Sequence, residues 1–151
     1  MKKLPLICLL VLSVSLTLIN NVSAQSVIAI NHIALYVNDL QTSAAFYKNV
    51  MQLQEIPEPF KDRKHVWFRI GPHSQLHVIQ GGKIEEHDIN THTAFSVKNL
   101  KKFTDHLDKA NVHYGNWKGD EKQTTARPDG VQQVYFQDPN KFWIEVNDDK
   151  F

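Results

Sequence analysis

The sequence predicts an α+β protein built from two tandem βαβββ modules, their strands forming a curved mixed β-sheet with the helices on its outside. Two observations predict it. The chain contains an internal repeat: Asn31-His32-Ile33-Ala34-Leu35-Tyr36-Val37-Asn38-Asp39-Leu40 aligns with Thr91-His92-Thr93-Ala94-Phe95-Ser96-Val97-Lys98-Asn99-Leu100, so that His, Ala, Val and Leu recur in register. Further on, Val66-Trp67-Phe68 aligns with Val134-Tyr135-Phe136, and Leu76-His77-Val78 with Ile144-Glu145-Val146. Two copies in the same order indicate a duplicated module and are too few for a solenoid. The second observation is periodicity, which within each copy switches from two residues to 3.6 and back to two.

The first 24 residues stand outside this scheme. Lys2 and Lys3 precede an apolar run from Leu4 to Ile19, and a polar stretch then ends in Val22-Ser23-Ala24. That order is the layout of a secretory signal cut after Ala24. The run is short for a membrane span and is interrupted by Pro5, Ser13, Ser15 and Thr17. The expectation is a secreted or periplasmic protein with no stable membrane association after cleavage. Cys8, the single cysteine, leaves with the signal. The mature chain then has no disulfide, no thiolate nucleophile and no sulfur ligand.

The modules follow in order. In residues 28–82, a strand at 31–37 places Ile33, Leu35 and Val37 on one face and His32, Ala34 and Tyr36 on the other. Asn38 or Asp39 caps a helix with Leu40, Ser43, Ala44, Tyr47, Val50 and Met51 near one side. Strands at 53–56, 65–70 and 75–80 complete the module, with Gly71-Pro72 as the turn before the last. Residues 83–90 are polar and charged and read as the linker. In residues 91–147 the pattern repeats. A strand at 91–97 precedes a helix at 100–110 with Leu100, Phe103, Leu107 and Ala110 at helical spacing. An ill-defined stretch at 112–117 and a long polar segment at 118–130, expected at a cavity mouth, come next. Strands at 131–137 and 141–146 meet at the turn Asp138-Pro139-Asn140.

Net charge is only +1 and no long block of like charge occurs, so nothing points to a nucleic acid or a polybasic membrane contact. The chemistry lies elsewhere. His32, His77, His92 and Glu145 each sit opposite the apolar residues of their strands. Each helix must cover the apolar face, so all four side chains are expected on the other side of the sheet. They also occupy matching places, His32 with His92 and His77 with Glu145, and a pseudo-twofold would bring them together. Three imidazoles and a carboxylate facing one cavity call for a divalent cation. His65, His73, His87, His106 and His113 fall in loops, at element edges or on a polar helix face, and read as solvated.

The duplicated module, with His on the first strand of each half and Glu on the last strand, resembles the vicinal oxygen chelate superfamily of glyoxalases, bleomycin-resistance proteins and extradiol dioxygenases. Two more strings resemble it: Asp39-Leu40 through Ser43 to Phe46-Tyr47, and Asp138-Pro139-Asn140 followed by Trp143-Ile144-Glu145. Lys141-Phe142 stands where the family usually has a turn glycine. The resemblance spans residues 28–147 and implies one divalent ion (Ni, Zn, Co, Mn or Fe) held by His32, His77, His92 and Glu145. Four protein ligands leave about two sites on an octahedral ion. That number suits a lyase or isomerase stabilising the enolate or enediolate of a small hydroxycarbonyl compound, with Glu145 as general base. An iron-dependent extradiol-type dioxygenase is the alternative and would leave His77 out of the coordination shell. A small-molecule (antibiotic) binding or resistance protein is the third reading. Arg69 and Arg127 are candidate anchors for an anionic substrate. A homodimer is expected, because modules of this family pair within a chain or between chains.

Overall fold

The structure is a computed structural model that describes residues 28–150; the signal-like segment 1–24 lies outside the described residues. The chain runs β1 (His32–Val37), α1 (Leu40–Asn49), β2 (Gln54–Ile56), β3 (His65–Arg69), β4 (Gln75–Gln80), β5 (His92–Ser96), α2 (Leu100–Lys109), β6 (Thr125–Ala126), β7 (Gln132–Gln137) and β8 (Trp143–Asn147). Both helices begin where a short polar side chain can satisfy a first-turn amide. Asp39 accepts from the Thr42 amide at 2.6 Å and Asn99 from the Lys102 amide at 2.8 Å. Losing either cap is expected to cost about 1 kcal/mol.

The strands form two four-stranded sheets, ordered β1-β4-β3-β2 and β5-β8-β7-β6. In each, the first strand runs parallel to the last strand of its module, and the remaining pairs are antiparallel. The duplication is thus reproduced strand for strand. The expectation of one continuous curved sheet is refined: β1 and β5 each end a sheet, and no ladder joins them. A second refinement concerns 118–130, read as a loop. Thr125 and Ala126 of that segment pair with Gln133 and Gln132 as the short edge strand β6.

The apolar faces make one core. Val37, Phe68, Leu76 and Val78 from the first sheet and Val134, Phe136, Ile144 and Val146 from the second are buried, together with Leu40, Tyr47 and Leu107 of the helices. Each such side chain contributes roughly 1.5–3 kcal/mol relative to exposure. The modules are also joined by polar contacts that alternation cannot forecast. The Tyr47 hydroxyl donates to Asp138 Oδ2 at 2.8 Å, the Asn38 amide to Asn140 Oδ1 at 2.7 Å, and Asn140 Nδ2 to Ser43 Oγ at 2.7 Å. The β7–β8 turn therefore docks onto α1. His106, read as solvated, instead bonds through Nε2 to the carbonyls of Asn49 and Val50 at the end of α1. Phe46 of α1 and Phe103 of α2 both pack against Phe136.

The linker begins with a close crossing. The amides of Gly81 and Gly82 both donate to the Val37 carbonyl at 2.9 Å. A Cβ on Gly82 would fall 2.2 Å from the Tyr36 carbonyl oxygen, so only glycine lets the chain pass there.

Candidate metal centre

Ladder register decides which side chains share a face. In the second sheet Glu145 stands opposite Tyr135 on one side and Ala94 on the other, and Asn147 lies between Ser96 and Gln133. All of them point away from the helix-covered face, as does His92. The result is a connected polar cluster. The Tyr135 hydroxyl donates to Glu145 Oε2 and Asn147 Nδ2 to Glu145 Oε1, each at 2.7 Å. Ser96 Oγ in turn donates to Asn147 Oδ1 at 2.9 Å.

His92 completes the cluster. Its Nδ1 bonds to the Ile89 carbonyl at 2.7 Å, which makes Nδ1 the protonated nitrogen and turns Nε2 toward Glu145 Oε2 at 3.3 Å. Fixing one imidazole nitrogen on a carbonyl so that the other presents its lone pair is how proteins orient metal-binding histidines. Burial raises the Glu145 carboxyl, but hydrogen bonds from Tyr135, Asn147 and Gln133 and the neighbouring His92 outweigh it, leaving Glu145 below the ordinary glutamate value. The carboxylate is therefore ionised as well as buried.

The first sheet offers a different arrangement. His77 lies opposite Trp67 on β3 and beside Ala34 on β1. Its ring is stacked on both faces, against Trp67 (centroids 3.8 Å apart, planes 4° apart) and against His32 (4.3 Å, 9°). His77 Nε2 is engaged with Gln75 Oε1 at 2.8 Å, and His32 Nδ1 with Asn31 Oδ1 at 2.8 Å. Burial, then the proximity of His32 and His65, lowers the His77 pKa and favours its neutral form.

Stacking bears directly on ligation. An imidazole nitrogen holds a metal along its lone pair, in the plane of the ring. Two rings with nearly parallel, separated planes share no point that lies in both. While His32 and His77 are stacked, one ion can take one of them as a ligand but not both.

The structure thus brings the four residues together in two pairs, His32 with His77 and His92 with Glu145. Among the described residues, no three His, Cys, Asp or Glu side chains lie close enough to hold one ion. Arg69 sits exposed on the open face of the first sheet. Arg127 is engaged within its own module, paired with Asp129 and, at 3.3 Å, with Asp149, which leaves it poorly placed to anchor a substrate anion. Sequence reasoning missed Trp67, Tyr135, Ser96 and Asn147 as neighbours of the candidate ligands. Their signal was available. Trp67 and Tyr135 occupy matching places in the repeat, and each faces a candidate ligand across an antiparallel ladder.

Beside this cluster lies a cavity of about 730 Å³ whose walls include Phe46, Ile89, Trp117, Tyr135 and Trp143. Tyr135 lines it and also reaches Glu145.

Comparison with known proteins identifies the family and the fold. Residues 29–146 match the sequence profile of the Glyoxalase/Bleomycin resistance protein/Dioxygenase superfamily. The chain belongs to this superfamily. Among curated protein sequences, none matches it. Several solved structures share its fold at low identity. Oxidase ChaP-H2 superposes with a TM-score of 0.68 at 20% identity, covering 83% of this chain and 96% of that one. The fosfomycin resistance protein FosX from Listeria monocytogenes gives 0.65 at 19%, covering 83% and 96%. Lactoylglutathione lyase from Agrobacterium tumefaciens gives 0.61 at 19%, covering 80% and 92%. At such identities the likeness establishes the fold alone.

Proposed function

We propose that the chain is an exported, metal-dependent enzyme acting on a small molecule, with His32, His92 and Glu145 as its protein ligands. The observation that carries this reading is the His32–His77 stack, which lets one ion take only one of the two imidazoles; His77, covered on its other face by Trp67 and engaged through Nε2 by Gln75, is the one this reading leaves out. Two histidines and one carboxylate remain, a set that leaves three positions open on an octahedral ion and is typical of non-haem iron oxygenases. The donor set also suits a divalent ion on its own chemistry: a tautomer-fixed imidazole nitrogen faces a buried, ionised carboxylate oxygen at 3.3 Å.

An ion bound there supplies Lewis acidity and, as ferrous iron, reactivity toward dioxygen. The chain's own residues do the rest. Tyr135 and Asn147 orient Glu145, and the Ile89 carbonyl orients His92. The aromatic side chains lining the adjoining cavity, among them Trp117, Tyr135 and Trp143, offer stacking faces to a flat substrate, and Lys118 and Glu121 stand beside them. An oxygen-dependent reaction on such a molecule is the leading reading. The lyase or isomerase reading, with four ligands and Glu145 as base, requires the His32–His77 stack to open.

The ligand set is completed by a second copy of the chain. β1 and β5 carry the site histidines and each stands at the edge of its sheet. Edge strands present unpaired amides and carbonyls that suit association with another chain. A homodimer that sets β1 of one copy beside β5 of the other brings His32 to the His92–Glu145 pair.

Elemental analysis of the chain, purified without chelator or metal-affinity tag, tests the proposal. The expected result is about one equivalent of iron per site together with substrate-dependent oxygen uptake. Nickel, zinc, cobalt or manganese without oxygen uptake would transfer the lead to the lyase or isomerase reading. No metal after reconstitution would refute the centre.

A further inference from the structure

Glu145 is the only carboxylate of the candidate ligand set, and it is anchored at both ends. Oε2 accepts from the Tyr135 hydroxyl and Oε1 from Asn147 Nδ2, both at 2.7 Å. Neither anchor is itself loose. Tyr135 is buried, its backbone pairs in both directions with Gly115 (2.8 and 3.0 Å), and its ring lies edge-on to both Trp117 and His92. Gly115 is required for that contact, since a Cβ there would lie 2.8 Å from the Asp120 carbonyl oxygen. Asn147 is buried too. Its amide oxygen accepts from Ser96 Oγ at 2.9 Å and from the Asp149 amide at 3.2 Å, which orients its Nδ2 toward Glu145.

We propose that Tyr135 and Asn147 are positioning residues that hold Glu145 as a stationary metal ligand and prevent it from swinging out to act as a mobile base. Moving the carboxylate would strand the Tyr135 hydroxyl and the Asn147 amide inside the protein, and an unpaired buried donor is costly. A carboxylate oxygen has two lone pairs, so Oε2 can accept from Tyr135 and still face an ion on the His92 side. The arrangement is specific to the second module. The matching place in the first holds Trp67, which stacks on His77 and offers its ring partner no hydrogen bond.

This inference rests on the reading of Glu145 as a ligand. The test is Tyr135→Phe, which keeps the ring and its packing and removes one oxygen. Cobalt(II) is titrated into wild type and variant, followed by visible absorption, with affinity measured against a competing chelator. The expected result is about 10- to 100-fold weaker binding and a shifted ligand-field band, the usual consequence of losing a residue that orients a ligand. The thermal midpoint of the metal-free protein, recorded in parallel, separates this from a general loss of folding. A variant with wild-type affinity and spectrum would overturn the positioning role and leave the ligand reading intact. A wild type that binds no cobalt would overturn both.

Discussion

The two modules share one chain path and use their open faces differently. In the second, the strip of residues around the candidate ligands is buried and hydrogen-bonded: Gln133, Tyr135, Glu145 and Asn147 are each less than a tenth exposed. In the first, the matching places hold His65, Trp67, His77 and Ile79, and the neighbouring Tyr36 and Phe60 are more than half exposed. Polar pairing organises one face and aromatic stacking the other. Trp67 Nε1 even lacks a hydrogen-bond partner among the described residues, whereas the Tyr135 hydroxyl has one. Duplication copies a backbone, but it does not oblige both copies to solve burial with the same chemistry. The second face holds a buried, hydrogen-bonded carboxylate, and the first presents an exposed histidine beside aromatic rings.

The sharpest way to break this comparison is to remove ligands from each side. His92→Ala and Glu145→Ala are expected to abolish metal retention, measured by elemental analysis after desalting. His77→Phe, which keeps a flat ring between Trp67 and His32, is expected to retain the metal. Loss of metal in His77→Phe would restore the four-ligand set and reverse the assignment of roles between the faces. His106→Ala, far from both faces on α2, serves as the control.

A smaller effect tests where the faces meet. His32→Ala and Glu145→Ala chains are each expected to be metal-free. Unfolded together and refolded as a mixture, they should recover binding at a fraction of the sites, because one of the two sites in a mixed dimer has all its ligands. No recovery in a mixture shown to contain mixed dimers would place the whole site within one chain.

The smallest effect concerns the turn that only the second module uses for docking. Burial raises the Asp138 carboxyl above the ordinary aspartate value, although Tyr47 and the amides of Asn140 and Phe142 donate to it. A carboxyl whose folded pKa lies above its unfolded one binds its proton more tightly in the folded state. Its contribution is complete below the unfolded value and is lost as pH rises through the folded one. Urea unfolding midpoints should therefore decline over that window in wild type and stay flatter in Asp138→Asn. Parallel profiles would show that the docked turn tolerates the charge.

Much of this was legible beforehand. The repeat marked both modules, and alternation along His32–Val37, Gln75–Gln80, His92–Ser96 and Trp143–Asn147 assigned the four candidate ligands to the open faces. The Asn38-Asp39 pair marked the start of the first helix. Such features are local: they depend on side-chain period and on backbone groups a few residues apart.

What depended on distant neighbours was not legible. Nothing in the order of residues says that His77 stacks on Trp67 and His32, since a ring's plane is set by the side chains across the ladder. Nor does it say that Arg127 is taken up by Asp129 and Asp149, or that Asp138 and Asn140 reach back to α1. The sequence by itself determined the modules, the strands that carry the ligand candidates and the face on which each candidate lies, because periodicity alone dictates these. The tertiary structure alone decided that the four candidates fall into two unlike pairs, because register and packing orient the imidazole planes and a metal can be shared only where lone pairs converge.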